Sequence, residues 1–312
     1  MKQPTIYIMV GLPASGKSTF ASVLSILSED CEKVWLSSDE LRKELFGDEN
    51  VQDKNNILFE EMQRRAVAAL KEGKDVIYDA TNICRKDRRH ILGCLPKNVY
   101  KVAIVTWCKY DICVERDKHR ERTVGEDVIK KMICRFQPPF YDEGFDEIRF
   151  RFFNDYHYDN IVGNFYTDED YKDWMNCEHE NPHHKNTVGE HTQKMLECLR
   201  ENKLMSLAYN LDVLENAIKY HDCGKKFVKS FINARGDECD EAHYYNHQNV
   251  GSYFVIGMMG YDQKYSHDEV LLVSWLVNNH MEPFFKSKYY EELPLYLKSL
   301  IDIIHECDVN GA

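Results

Sequence analysis

The sequence predicts an α/β domain built on a parallel, doubly wound sheet, followed by an all-α domain. Three observations point there. Strand-like apolar runs alternate with helical patterns through the first half of the 312-residue chain, and such alternation needs parallel crossovers. The strand signal then fades, and apolar residues recur at helical spacing. The composition changes at the same place: 12 of the 14 arginines lie in the first 160 residues and 10 of the 13 histidines after them.

In chain order, Thr5–Val10, Lys33–Ser38, Asp75–Thr81 and Tyr100–Cys108 read as strands, with Glu147–Phe153 a weaker fifth. Helical stretches fall between them at Ser18–Ser28, Asp39–Leu45, Asn56–Glu72, Arg85–Leu92 and Tyr110–His119. Farther on, Gly189–Asn202, Leu204–Tyr220, His243–Met258, Asp268–Asn279 and Leu293–Asp308 read as helices. The expected division is a domain over 1–153, a boundary segment over 154–180 and a second domain over 181–312. The polar, aromatic stretch Asp155–Asp173 and Pro182 mark the boundary.

The charge follows this division. Residues 1–160 hold 26 basic and 27 acidic side chains, and the remainder hold 14 and 25. Guanidinium groups suit phosphate clamping, and imidazoles suit transition metals. The acidic whole, at −12, argues against tight nonspecific duplex binding and leaves transient binding of RNA ends or oligonucleotides open. No apolar run approaches the roughly 18 residues of a membrane span. The first residues read as a strand and not as a signal peptide. A cytoplasmic protein with no membrane partner is expected, and its oligomeric state is open. The 11 cysteines are odd in number and form no CxxC pair, as expected of scattered reduced thiols.

Gly11-Leu-Pro-Ala-Ser-Gly-Lys-Ser-Thr19 matches GxxxxGK[ST] between a predicted strand and a predicted helix. Such a loop curls backbone N–H groups around phosphate oxygens, so Gly11, Ser15, Gly16, Lys17, Ser18 and Thr19 are expected to bind ATP. Lys17 reaches the β and γ phosphates, and Ser18 holds Mg²⁺. Asp39, in Ser37-Ser-Asp-Glu-Leu-Arg42, is expected beyond the second strand, at the sheet edge where ligands bind. A carboxylate there can take the proton of an acceptor hydroxyl. The same residue also fits a helix N-cap. Asp79 occupies a Walker-B-type position, followed by Thr81 and Asn82. Arg116 and Arg120 are four apart, which places them on one face of a helix, as a phosphate lid or as a solvated charged surface.

These residues resemble the polynucleotide kinase family of P-loop phosphotransferases over about residues 1–150. The matching elements are the P-loop, Ser37–Arg42, Asp79-Ala-Thr-Asn82 with Arg88-Arg89, and the Arg116/Arg120 pair. The run Arg135-Phe-Gln-Pro-Pro-Phe-Tyr-Asp-Glu is also similar to that group. The resemblance implies Asp39 as general base towards a 5′-hydroxyl. It implies Arg42, with Asp79, Asn82 and Arg88, on the acceptor side, and Arg116 and Arg120 on the donor phosphates.

The second half places His191, His221-Asp222, His247, His280 and Asp308 on separate predicted helices. Side chains converging from several helices are how bundles build metal centres. This set resembles the HD phosphohydrolase superfamily over about residues 180–308. The resemblance implies His191, His221, Asp222 and Asp308 as ligands of one metal, with His247 and His280 completing a second position. Imidazole with carboxylate favours Mn, Fe, Co, Ni or Zn. Lys225 would neutralise the scissile phosphate. His179, His183, His243, His267 and His305 are read as structural, and His184 as a possible substrate contact.

Together the halves resemble bifunctional RNA end-healing enzymes, with the kinase placed first. The resemblance implies a 5′-hydroxyl RNA kinase joined to a 2′/3′-end phosphohydrolase. Two other readings stay open: a nucleotide-salvage enzyme with a nucleoside-type kinase and an HD nucleotidase, or a regulatory ATP-binding module with an inactive HD domain.

Overall fold

The computed structural model describes residues 3–27, 32–49, 51, 53–152, 165–180, 186–201, 211–262 and 264–311. Pro182, His183, His184 and the expected helical residues 204–210 lie outside the described residues. The chain divides into two compact units. One comprises Met1–Ile129 with Pro139–His157, the other Lys130–Pro138 with Tyr158–Ala312.

The first unit carries five strands: β1 (Thr5–Val10), β2 (Lys33–Ser37), β3 (Asp75–Asp79), β4 (Tyr100–Trp107) and β5 (Glu147–Phe152). They form one sheet in the order β2-β3-β1-β4-β5, and every pairing is parallel. Ile6, Ile8, Met9 and Val10 of central β1 are fully buried, as expected where helices cover both faces of a parallel sheet. The helices are α1 (Lys17–Ile26), α2 (Ser38–Phe46), α3 (Asn55–Lys71), α4 (Arg85–Gly93), α5 (Tyr110–Lys118) and the start of α6 (Glu126–Ile133). In α3, Leu58, Met62, Ala66, Ala69 and Leu70 form one buried stripe at helical spacing. All the parallel strands end at the same edge, so the loops after β1, β2, β3 and β4 converge there.

The second unit holds α7 (Asp168–Met175), α8 (Val188–Glu201), α9 (Leu211–Tyr220), α10 (Lys225–Val228), α11 (His247–Gly260), α12 (His267–Asn279), α13 (Glu282–Phe285), α14 (Lys288–Glu291) and α15 (Leu295–Gly311). A β-hairpin interrupts them: β6 (Ser230–Ile232) pairs with β7 (Glu238–His243). His243 therefore ends a strand and does not open a helix. The helix begins four residues later, after Asn246 takes a left-handed φ of 65°.

Lys130–Pro138 belongs to the core of this unit. Phe136 is fully buried and meets Tyr253 of α11 edge-to-face at 5.0 Å. Asn249 donates to the Cys134 carbonyl at 2.7 Å, and Asn278 of α12 donates to that of Phe136 at 3.4 Å. The unit boundary thus falls inside α6.

Candidate functional sites

The loop between β1 and α1 is shaped by glycine. A Cβ on Gly11 would stand 2.6 Å from the Thr106 carbonyl oxygen and 2.7 Å from Ser15 Oγ, far inside contact distance. Gly16 takes the N-cap position of α1 with φ 92°, a conformation glycine adopts at little cost. Ser15 is buried and bonds Thr106 Oγ1 at 2.9 Å, so it braces the loop. Ser18 and Thr19 are exposed in the first turn of α1. Lys17 Nζ donates to the Leu12 carbonyl at 2.6 Å. Burial pushes its pKa down to about 8, against the opposing pull of Asp79. Asp79 is pushed up by burial, and Lys17, Ser18 and Trp35 oppose the rise. A buried cation, free N–H groups at a helix start and exposed hydroxyls fit a nucleotide triphosphate with Mg²⁺.

Asp39 is not the cap of α2. Ser37 is, accepting from Glu40 N at 3.4 Å. Asp39 is held between two guanidiniums, Arg42 at 3.0 Å and Arg122 at 2.5 Å. Arg42 also donates to Asn55 at 3.0 Å, and its buried Nε has no hydrogen-bond partner among the described residues. No sequence spacing marks Arg122, whose pairing with Asp39 spans 83 residues.

Three expectations change. Arg88 turns inward. It is fully buried, grips both oxygens of buried Glu143 at 2.9 and 2.6 Å, and donates to the Asn82 carbonyl. It builds the wall behind the loop. Asn82 likewise turns inward, donating to the Met9 carbonyl at 2.8 Å. Arg116 and Arg120 do not share a helical face, because α5 stops at Lys118. Just before that end, Asp117 accepts from the backbone of Val124 and Gly125 at 2.9 Å each. Arg116 lies against Cys108 Sγ at 3.3 Å. Arg120 is more exposed, 3.9 Å from Asp117.

In the second unit, His191, His221 and Asp308 bring one ligand atom each within 4.8 Å of one another, and so do Asp222, His247 and His280. The local structure explains the convergence. His191 rides in α8, His221 and Asp222 follow the end of α9, His247 opens α11, His280 caps α12, and Asp308 lies in α15. A Cβ on Gly224 would meet the His247 carbonyl oxygen at 2.2 Å and Gly251 N at 2.7 Å. Only glycine lets the His-Asp turn sit this close to α11.

Every imidazole of the set is oriented by its Nδ1. His191 faces the Gly311 carbonyl at 3.2 Å, His221 that of Ile218 at 2.7 Å, His247 that of Tyr244 at 2.9 Å and His280 that of Val277 at 2.8 Å. A carbonyl only accepts, so each Nδ1 carries the hydrogen and each Nε2 turns inward. Metal-binding histidines are typically held this way. Asp222 joins the two groups. Its Oδ2 lies 3.1 Å from His221 Nε2 and its Oδ1 3.3 Å from His247 Nε2. His221 Nε2 is buried without a hydrogen-bond partner among the described residues, and His191 Nε2 lies 2.9 Å from Asp308 Oδ1. Such a donor set is suited to cations.

Burial raises the Asp222 carboxyl, but His221 and Lys225 outweigh it and hold it well below the usual range. Burial raises Asp308 too, and the His191 bond brings it down to about 2. Burial with neighbouring His247 and His221 pushes His280 down to about 3, which keeps its Nε2 lone pair available. Lys225 Nζ lies 2.6 Å from Asp222 Oδ2. His179, expected to be structural, stands beside both, with its Nε2 3.0 Å from Lys225 Nζ.

Residues 6–139 match the family described as AAA domain. The first unit has the P-loop kinase fold. Over 143 residues the chain is 28% identical to L-seryl-tRNA(Sec) kinase of Methanococcus maripaludis, a match covering 43% of this chain and 53% of that protein. The chain thus spans about half the length of this curated relative. Among solved structures, it is similar to a chain of the Pnkp1/Rnl/Hen1 RNA repair complex, at 26% identity and TM-score 0.39, covering 43% of this chain and 44% of that one. A fungal RNA kinase matches at 19% identity and TM-score 0.36, over 50% of this chain and 79% of that one. A gluconokinase from Sinorhizobium meliloti matches at 16% and 0.36, over 49% and 84%. No helix among the described residues is long and apolar enough to cross a membrane.

Proposed function

We propose that the protein is an ATP-dependent kinase of a 5′-hydroxyl on RNA, joined to a metal-dependent hydrolase of the HD type that clears a 2′- or 3′-terminal phosphate. For the hydrolase, the carrying observation is Asp222, which turns one oxygen to His221 and the other to His247. For the kinase it is Asp39, held between Arg42 and Arg122 in a unit with a complete P-loop.

In the kinase, Lys17 and the loop N–H groups hold the donor phosphates, and Arg116 in α5 and Arg120 just beyond its end act on them as separate cations rather than as one helical face. Arg42 and Arg122 fix the Asp39 carboxylate in place, where it can accept the proton of the acceptor hydroxyl. Mg²⁺, when bound, supplies charge neutralisation at the transferring phosphoryl group. An RNA-borne acceptor is supported by the relative whose name makes it a kinase of a tRNA-linked serine.

In the hydrolase, the six ligands would hold two transition-metal ions, which supply Lewis acidity and water activation when bound. Asp222 fixes the spacing between the two groups. Lys225 presents its ammonium next to Asp222, where it meets substrate phosphate.

A direct test compares a free nucleoside with a 5′-hydroxyl oligoribonucleotide as acceptor, and measures bound metal in the same preparation. Phosphorylation of the oligonucleotide with metal at up to two equivalents supports the reading. Preference for the nucleoside, with phosphate release from free nucleotides, would move the protein to nucleotide salvage.

A further inference from the structure

We propose that His179 is a positioning residue of the hydrolytic centre, which acts by aiming the Lys225 ammonium. The inference rests on the reading of that centre as a phosphohydrolase.

The geometry is specific. His179 is 1% exposed. Its Nδ1 lies 2.7 Å from the Asn186 carbonyl, so Nδ1 carries the hydrogen and Nε2 offers its lone pair. That lone pair faces Lys225 Nζ at 3.0 Å. Lys225 is therefore held at two points, by Asp222 Oδ2 and by His179 Nε2, with the Tyr244 ring 5.6 Å from its charge. An ammonium has three hydrogens. With two committed, the third has one direction left, so His179 and Asp222 together set where it points. Asp222 alone would leave the long lysine stem free to rotate about a single contact.

The surrounding backbone is built to keep His179 in place. The Tyr244 hydroxyl donates to the His179 carbonyl. Ala242 N donates to the Glu180 carbonyl at 2.9 Å, and Lys229 Nζ to that of Glu178 at 2.8 Å. Glu178 bridges Thr187 in antiparallel fashion, and Val188 N donates to the Cys177 carbonyl at 2.9 Å. Glu180 accepts a left-handed φ of 41° within this arrangement, a conformation that is unfavourable for a non-glycine residue. A core histidine needs only a partner for each ring nitrogen. This one has its second nitrogen on a lysine that is itself bonded to the central carboxylate.

The test uses the full chain loaded with Mn²⁺, with bis(4-nitrophenyl) phosphate and a 2′,3′-cyclic-phosphate RNA as substrates. His179→Ala is expected to keep its metal and its kinase activity and to lower hydrolytic kcat by about 10–100-fold, the usual scale for such supporting partners. His179→Gln places an acceptor amide near the Nε2 position and is expected to recover most of that loss. The double variant with Lys225→Ala is expected to be no slower than Lys225→Ala alone, because both act through one ammonium. Unchanged turnover in His179→Ala, independent multiplication of the two losses, or loss of metal in His179→Gln would overturn the inference. A wild type that binds metal and hydrolyses neither substrate would instead overturn the phosphohydrolase reading on which it rests.

Discussion

The Nε2 atoms of His247 and His280 lie 3.2 Å apart, while both rings commit their Nδ1 hydrogens to main-chain carbonyls. Two lone pairs at that distance repel unless a proton or a cation lies between them. With Asp222 beside them, the three could hold a metal ion. His280→Ala is expected to lower bound metal by about one equivalent and to cut hydrolysis, while 5′ phosphorylation stays at the wild-type rate. Elemental analysis beside both activity assays checks this. Undiminished metal in the variant would remove His280 from the ligand set.

Gly224 gives a second handle on the same centre, through the backbone. An added methyl would sit 2.2 Å from the His247 carbonyl oxygen, so α11 must shift and carry His247 with it. Gly224→Ala is expected to cost about 1–3 kcal/mol, as overpacking does, and to weaken metal binding. Metal titration of the variant reads the second effect, and unchanged affinity would mean that the turn can yield without moving His247.

Nucleotide binding should carry a proton signature. Lys17 has a pKa of about 8 in the folded protein, against an ordinary 10.5. Between those values the unfolded chain holds a proton that the folded one has lost. The cost of burying the charged lysine is therefore complete below pH 8, and the stability contributed by this group rises from pH 8 towards 10.5. Phosphate anions placed on Lys17 favour its charged form. ADP binding at pH 9 is expected to take up most of one proton, read by calorimetry in two buffers of different ionisation enthalpy. Equal heats in both buffers would contradict it.

Asp39→Ala is expected to lower 5′ phosphorylation by about 10²–10⁴-fold, the usual contribution of a general base, and to leave hydrolysis unchanged. Arg122→Ala should lower the same rate by a smaller factor, because Arg42 still holds the carboxylate from the other side. Steady-state phosphorylation of a 5′-hydroxyl oligoribonucleotide ranks the two. A full rate in Asp39→Ala would leave Asp39 as an ion-pair residue only.

Phe136 lies in the run that resembles the kinase family, yet it fills the core of the helical unit. Phe136→Ala is expected to destabilise that unit by about 3–5 kcal/mol, the scale of a buried aromatic truncation. Hydrogen exchange should quicken in residues 247–279 and not in β1. The reverse pattern would return Lys130–Pro138 to the first unit.

The legible parts of the fold were those governed by local pattern. β1 spans Thr5–Val10 as expected, because apolar residues flanked by a glycine loop admit no other strong reading. The P-loop was legible because its spacing is itself chemical, and the resemblance drew out His191, His221, Asp222, His247, His280 and Asp308, which the fold brings into two groups. The rest depended on partners distant in sequence. Arg88 turned inward because Glu143 meets it across 55 residues. Asp117 accepts from the backbone of Val124 and Gly125 seven and eight residues on, a pairing that no spacing announces. The hairpin of β6 and β7 is mostly exposed and polar on its second strand, so it lacked the alternation that marks a strand. His179 belongs to no recognised spacing, and its place emerges only when Lys225 is brought to it across 46 residues.

The most direct test of the account is to give one preparation ATP, Mg²⁺ and Mn²⁺ with an RNA bearing a 5′-hydroxyl and a 2′,3′-cyclic phosphate, and to read both termini. The expected result is a 5′-phosphate that disappears with Asp39→Ala and an opened or cleared 3′ end that disappears with Asp222→Ala, each variant keeping the other activity. An RNA left unchanged at both termini by metal-loaded wild-type protein would contradict it.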